Sequence, residues 1–287
     1  MRPTRFWKQG SGFSLVEMLV VIAIIATLAA ILLPVLSKAK ARSKTTLCMN
    51  NLRQLTIAFH SYVTDSGDKI MANHAAVGAG NKDEPGWVAG IMSYENDPYI
   101  PSFGKTEATN WVLFATGNES TRTTYFNVPR SYGSIGPYAK NPKIYKCPSD
   151  ESYSIFDGVK EQRVRSYTIS PAMNSPSFGG IAGNRMVLLS QVRDASRMLV
   201  FLDEHEDTID TTTFRETARG NYGLWSSLPA SRHSGGGTLS YVDGYVELRK
   251  WKDPQTLVPV QRKFRPVSLQ TDNQDRKWLL PRLYQNP

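Results

Sequence analysis

The sequence predicts an α+β protein: one long amino-terminal helix, followed by a globular domain built on an antiparallel sheet. Three observations predict it. From Leu15 to Leu36 run 22 residues with one ionisable group, Glu17. Cys48, Leu52, Leu55, Phe59 and Tyr62 then recur at spacings of 4, 3, 4 and 3, the apolar stripe of a helix. Beyond Gly67 the chain is turn-rich, with Pro85-Gly86, Asp97-Pro98 and Gly136-Pro137 breaking any long element into short strand candidates.

Composition narrows the class. A length of 287 residues, 40% hydrophobic and 21% charged, fits one medium domain plus an appendage. Seventeen Pro and 21 Gly without period exclude collagen-like and low-complexity chains. The net charge of +9 is placed unevenly: Arg2, Arg5, Lys8, Lys38, Lys40, Arg42, Lys44 and Arg53 precede residue 54, against Glu17 alone. Residues 54–287 hold 26 bases and 24 acids, nearly neutral. This argues against a nucleic-acid-binding domain and assigns the charge to the amino-terminal region, where membranes are the usual partner.

As a helix, Leu15–Leu36 spans roughly 33 Å, enough for a hydrocarbon core of ~30 Å. A cleavable secretory signal is the competing reading. Against it stand the length of the run, the carboxylate at its entry and the lack of a clear small-x-small site. Three bases precede the span and four follow closely, so positive-inside counting leaves orientation open. Glu17 costs a few kcal/mol at the edge of such a helix. It either snorkels into the headgroups or meets a cation that processing creates, since cleavage after Gly12 would free the Phe13 amine four residues upstream. Pro34 removes one helical hydrogen bond, toward the Ala30 carbonyl, and either bends or ends the helix. The stripe from Cys48 to Tyr62 favours continuation, giving one helix over about 14–64 that Asp65-Ser66-Gly67-Asp68 stops.

The stretch Gly12-Phe13-Ser14-Leu15-Val16-Glu17-Met18-Leu19-Val20 resembles the cleavage and methylation motif of type IV prepilins and type II secretion pseudopilins. The resemblance implies that a membrane-embedded peptidase cuts after Gly12 and methylates Phe13. Glu17 then stands five places into the mature chain and Pro34 at place 22, as the carboxylate and proline of that family do. It also implies the pilin lollipop: a leader over 1–12, a long helix over 13–66 with residues 15–36 in the inner membrane, and a globular domain over 67–287 with an irregular tail from about 253. The expected function is a non-enzymatic filament subunit with no cofactor, whose partners are prepilin peptidase, other pilin or pseudopilin subunits and the inner membrane. Its amino end would be cytoplasmic and its domain periplasmic before it enters a filament. A second reading keeps the prepilin-type signal only as an anchor for an envelope enzyme or glycan-binding protein. Thirty aromatic residues and the size of the domain support that reading, and it predicts a deep cleft lined by Trp and carboxylates.

In the globular part, strand candidates are Trp87–Ser93, Lys143–Cys147, Arg163–Ser170, Arg197–Leu202 and Gly223–Ser226, with a short helix at Asn110–Thr116. The cysteine count excludes four-ligand zinc sites and disulfide-dense scaffolds. Cys48 and Cys147 leave two readings: a disulfide worth ~4–5 kcal/mol in the chain-entropy model, or a pair of buried free thiols. The segments Cys48–Leu52 and Tyr145–Asp150 resemble those of a prepilin-like group from planctomycete and verrucomicrobial bacteria, as does His233 with Asp243-Gly244, its His-x9-Asp-Gly signature.

Thr238–Val242 and Tyr245–Trp251 flank Asp243-Gly244, which predicts a two-residue type I′ hairpin with positive φ at both turn positions. That register pairs Val242 with Tyr245, Tyr241 with Val246 and Leu239 with Leu248, putting Leu239, Tyr241, Val246 and Leu248 on the core face. His233 reads as a loop histidine bonded to backbone, with metal ligand or catalytic base as the alternatives. Asp203, Glu204 and Asp207, in the run Asp203–Asp207 with Asp210 beyond, are candidate oxygen ligands for calcium, which some secretion pseudopilins hold; a solvated acidic turn is the plainer reading. Residues 249–287 hold nine bases and three acids, read as a solvated basic tail with a short helix near Asn273–Leu280.

Overall fold

The computed structural model describes residues 14–73, 86–88, 135–156, 159–175, 185–209, 212–214, 227–262 and 272–285. The candidates at Asn110–Thr116 and Gly223–Ser226, and Trp87–Ser93 past Val88, lie outside them. Helix α1, Leu15–Asp65, continues through Pro34, so the proline does not end it. It stops where the polar run begins, Asp68 N–H reaching the Val63 carbonyl at 2.9 Å. The chain divides into two compact units, residues 1–43 and 44–287. In the first, the side chains of the apolar span face outward, and none of its most apolar window is buried.

The second unit is α+β. Its centre is a four-stranded antiparallel sheet in the order β3-β4-β5-β6, with β3 Tyr167–Ile169, β4 Leu199–Asp203, β5 Gly236–Tyr241 and β6 Val246–Lys250. A separate hairpin pairs β1, Tyr153–Phe156, with β2, Val159–Gln162. One sheet face packs with the buried side of α1: Cys48, Leu52, Leu55 and Phe59 cluster with Tyr167, Ile169, Val200, Phe201 and Val246. Phe59 meets Phe201 edge to face at 6.3 Å. The other face carries Leu199, Leu202, Leu239 and Tyr241 against Trp251, Leu279 and Leu283. All of β4 and β5 is therefore buried. A bulge between Leu199 and Phe201 lets the neighbours Val200 and Phe201 serve the same core.

Four expectations change. Lys143–Cys147 is no strand: Asn141 caps a 3₁₀ turn at Pro142–Tyr145, its side chain accepting from Lys143 N–H at 3.0 Å, and a short helix α2, Gly136–Ala139, precedes it. The hairpin register is one residue off, Ser240 pairing with Val246 and Leu239 with Glu247. The turn runs from Tyr241 to Gly244, whose N–H bonds the Tyr241 carbonyl at 3.0 Å; only Gly244 has positive φ (88°), Asp243 does not. This extra residue sends Val246 to the α1 face while Leu239 and Tyr241 stay on the other. The tail holds the expected helix, as α3, Gln274–Leu283, capped by Asn273, but it is not solvated: it buries Leu279 and Leu283.

Candidate functional site

At the head of α1, Ser14 and Glu17 form a reciprocal cap. Glu17 Oε2 accepts from Ser14 N–H at 2.8 Å, and Ser14 Oγ accepts from Glu17 N–H at 3.2 Å. The Ser-x-x-Glu spacing carries this signal, which the reading of Glu17 as an embedded charge missed. Gly12 and Phe13 lie outside the described residues.

The second unit gathers four of the singled-out residues at one buried point. Cys48 comes from α1, Asp203 from the end of β4, Cys147 from the segment after the 3₁₀ turn, and His233 from the loop before β5. One donor atom from each lies within 4.8 Å of all the others. Cys147 Sγ is 3.2 Å from His233 Nε2, Cys48 Sγ 3.8 Å from Asp203 Oδ2, and His233 Nε2 3.7 Å from Asp203 Oδ2. Both cysteines are free thiols here. The His233 ring bonds Thr45 Oγ1 at 3.0 Å and the Cys147 sulfur; it is the His233 backbone N–H that closes the loop, on Gly236 O at 3.0 Å.

Polar groups ring the cluster. Cys48 Sγ has Tyr167 Oη and Thr238 Oγ1 at 3.1 Å each, and Ser149 N–H points to Cys147 Sγ at 3.4 Å. Arg232 bonds Asp203 Oδ1, meets Glu206 Oε1 at 3.0 Å and donates to the Glu204 carbonyl at 2.7 Å; Asp150 stands 4.0 Å away. Burial, the Cys147 neighbour and Asp203 push the Cys48 thiol well up. Burial also opposes ionisation of Cys147, yet hydrogen bonds with Cys48 and His233 and the Arg232 charge hold it well below the usual thiol range. Asp203 is raised by burial against the pull of Arg232. Asp150, though buried, is held at about 2 by Arg232, Lys146 and the Ser152 and Ser166 hydrogen bonds.

The other acidic candidates do not join Asp203. Glu204 Oε1 accepts from Thr208 at 3.1 Å, and the Asp207 carboxylate accepts backbone N–H bonds from Gln261 and Arg262 at 2.6 and 2.9 Å. Asp210 lies outside the described residues. A count of cysteines does not reach the cluster that does form, because two of its four donors are carboxylate and imidazole. The groove beside Cys147, about 1070 Å³, is lined by Lys44, Lys143, Lys146, Lys160 and Arg262 with Asp150 and Glu151, and among the described residues by no Trp. Part of the basic tail is engaged: Arg249 and Arg282 stack on Trp278 at 4.1 and 3.9 Å, and Lys250 Nζ bonds the His233 and Ser234 carbonyls.

Residues 7–33 match the family model for the prokaryotic N-terminal methylation motif. The type IV wide pilus major component PilA4 of Thermus thermophilus is 32% identical over 105 residues, 36% of this chain and 80% of that protein. The chain belongs to the type IV pilin family. The type IV major pilin protein PilA of Myxococcus xanthus is 42% identical over 65 residues, 23% of this pilin-family chain and 30% of the relative's length. No solved structure matches this pilin-family chain.

Proposed function

We propose that this chain is a structural, non-enzymatic subunit of a type II secretion or type IV pilus-like filament, cut after Gly12 and methylated on Phe13 by prepilin peptidase. The observation that carries the reading is the methylation motif over residues 7–33 at the head of an apolar helix. The chain would enter the inner membrane with its amino end cytoplasmic and its domain periplasmic. On assembly the apolar part of α1 leaves the bilayer for a bundle of like helices, whose translational, non-closing contact propagates as an open filament. Its finer placement, in the group with the His-x9-Asp-Gly signature, rests on Cys48–Leu52, Tyr145–Asp150 and His233 with Asp243-Gly244.

Within the bundle, Glu17 pairs with the Phe13 amine of a neighbour. A carboxylate has acceptor sites for both that ammonium and the Ser14 N–H it already caps. Losing the anion leaves an unpaired charge in an apolar bundle, at a cost of about 3–5 kcal/mol. Glu17→Gln keeps the capping acceptor and removes only the charge. Both Glu17→Ala and Glu17→Gln are expected to be cut and methylated, read from the mass of the amino-terminal peptide, yet to be lost from filaments. Normal filament entry by Glu17→Gln would refute the pairing, and a mature chain that keeps its first twelve residues beside active peptidase would refute the processing.

A further inference from the structure

We propose that Cys48, Cys147, Asp203 and His233 bind one zinc ion as a closed, structural site. The donor set is two sulfurs, one imidazole nitrogen and one carboxylate oxygen, the chemistry of tetrahedral zinc. Bond lengths of about 2.0–2.3 Å on a tetrahedron place such donors roughly 3.3–3.8 Å apart. Three separations in the structure, 3.2, 3.7 and 3.8 Å, fall at or beside that range, and all four donors lie within 4.8 Å. Four ionisable groups from four separate segments converge here with one donor atom each inside 4.8 Å.

The surroundings fit the same ligand. With His233 Nε2 on the metal, Nδ1–H donates to Thr45 Oγ1 and fixes the ring. Arg232 takes Asp203 Oδ1 and leaves Oδ2 facing the sulfurs. Tyr167, Thr238 and the Ser149 N–H supply donors to the two sulfurs. Zinc and Arg232 together offset the three anions of the ligand set. Binding releases to solvent whatever protons the two thiols and the Asp203 carboxyl still carry, with no change of oxidation state. The ion ties the start of the domain-packed part of α1 to the sheet, because Cys48 is the helix's own ligand.

The test uses the full chain, solubilised in detergent and purified without added reductant or metal. Elemental analysis is expected to find roughly one zinc per chain, and stripped protein given cobalt(II) should show the visible bands of tetrahedral cobalt with thiolate charge transfer. Cys147→Ser and His233→Ala should lose both signals, while Asp243→Asn, in the neighbouring turn, should keep them. Thr45→Val should weaken zinc about 10–100-fold, with Thr45→Ser restoring it. Should a ligand variant fail to fold, the wild-type stoichiometry and cobalt spectrum still decide. An intact mass two hydrogens light, marking a Cys48–Cys147 disulfide, overturns the proposal, as does wild-type protein with neither zinc nor a cobalt spectrum.

Discussion

Arg232 is fully engaged inside the domain: its guanidinium serves Asp203, Glu206 and the Glu204 carbonyl directly and Asp150 at longer range. Removing one partner of a buried ionic network leaves the others desolvated and uncompensated, which costs about 3–5 kcal/mol. Arg232→Met should therefore lower the unfolding free energy of the detergent-solubilised chain by that amount, read from the shift of its denaturation midpoint. Arg232→Lys should recover only part of it, since an ammonium cannot present the same fork to two carboxylates and a carbonyl. An Arg232→Met variant as stable as wild type would show that the carboxylates neutralise at little cost. Nothing in the sequence marks Arg232 beyond its place next to His233; its partners lie 26 and 29 residues upstream and become neighbours only when β4 pairs with β5. Glu17 is the opposite case, since its cap is written in the local Ser-x-x-Glu spacing.

At the scale of elements, the hairpin separates two reasons for glycine. Gly237 is held by close approach: a Cβ there would sit 2.5 Å from the Ala230 carbonyl oxygen. Gly244 has open space around it but a φ of 88°. Gly244→Ala should cost about 1–2 kcal/mol, the left-handed penalty. Gly237→Ala should cost more, about 3 kcal/mol, the upper end for overpacking, because the strand must move off its neighbour. Thermal unfolding of the two variants checks the order, and a reversed order would mean that the backbone yields more easily than φ does. The Asp243-Gly244 pair made the hairpin legible, whereas its register was not: a turn one residue longer uses the same glycine and flips Val246 to the other face. Helix α1 was legible almost to the residue, because its apolar stripe repeats over many turns. The Lys143–Cys147 segment misled for the converse reason, five residues being too few for periodicity to outweigh the Asn141-Pro142 cap.

For the whole molecule, legibility follows the range of the contacts. All four residues of the cysteine cluster drew attention singly, but their gathering is set by the packing of α1 and two loops on the sheet, across separations of up to 185 residues, which no local spacing records. The apolar span needs no such assembly, and its consequence is additive. Between Leu15 and Leu36 stand 14 Leu, Ile and Val residues, worth roughly −4 to −8 kcal/mol toward insertion, while one central arginine costs about 2.5–3.5 kcal/mol. Ile24→Arg alone should therefore leave the chain in the membrane fraction. Ile24→Arg with Leu28→Arg should bring the balance near zero and shift a large share of the protein out of the alkali-resistant membrane pellet. Lys44→Glu, beyond the span, is the control for a change of charge without a change of apolarity. Retention of the double arginine variant at the wild-type level would mean that something other than this segment anchors the chain, and wild-type protein recovered without detergent would remove the membrane from the account altogether.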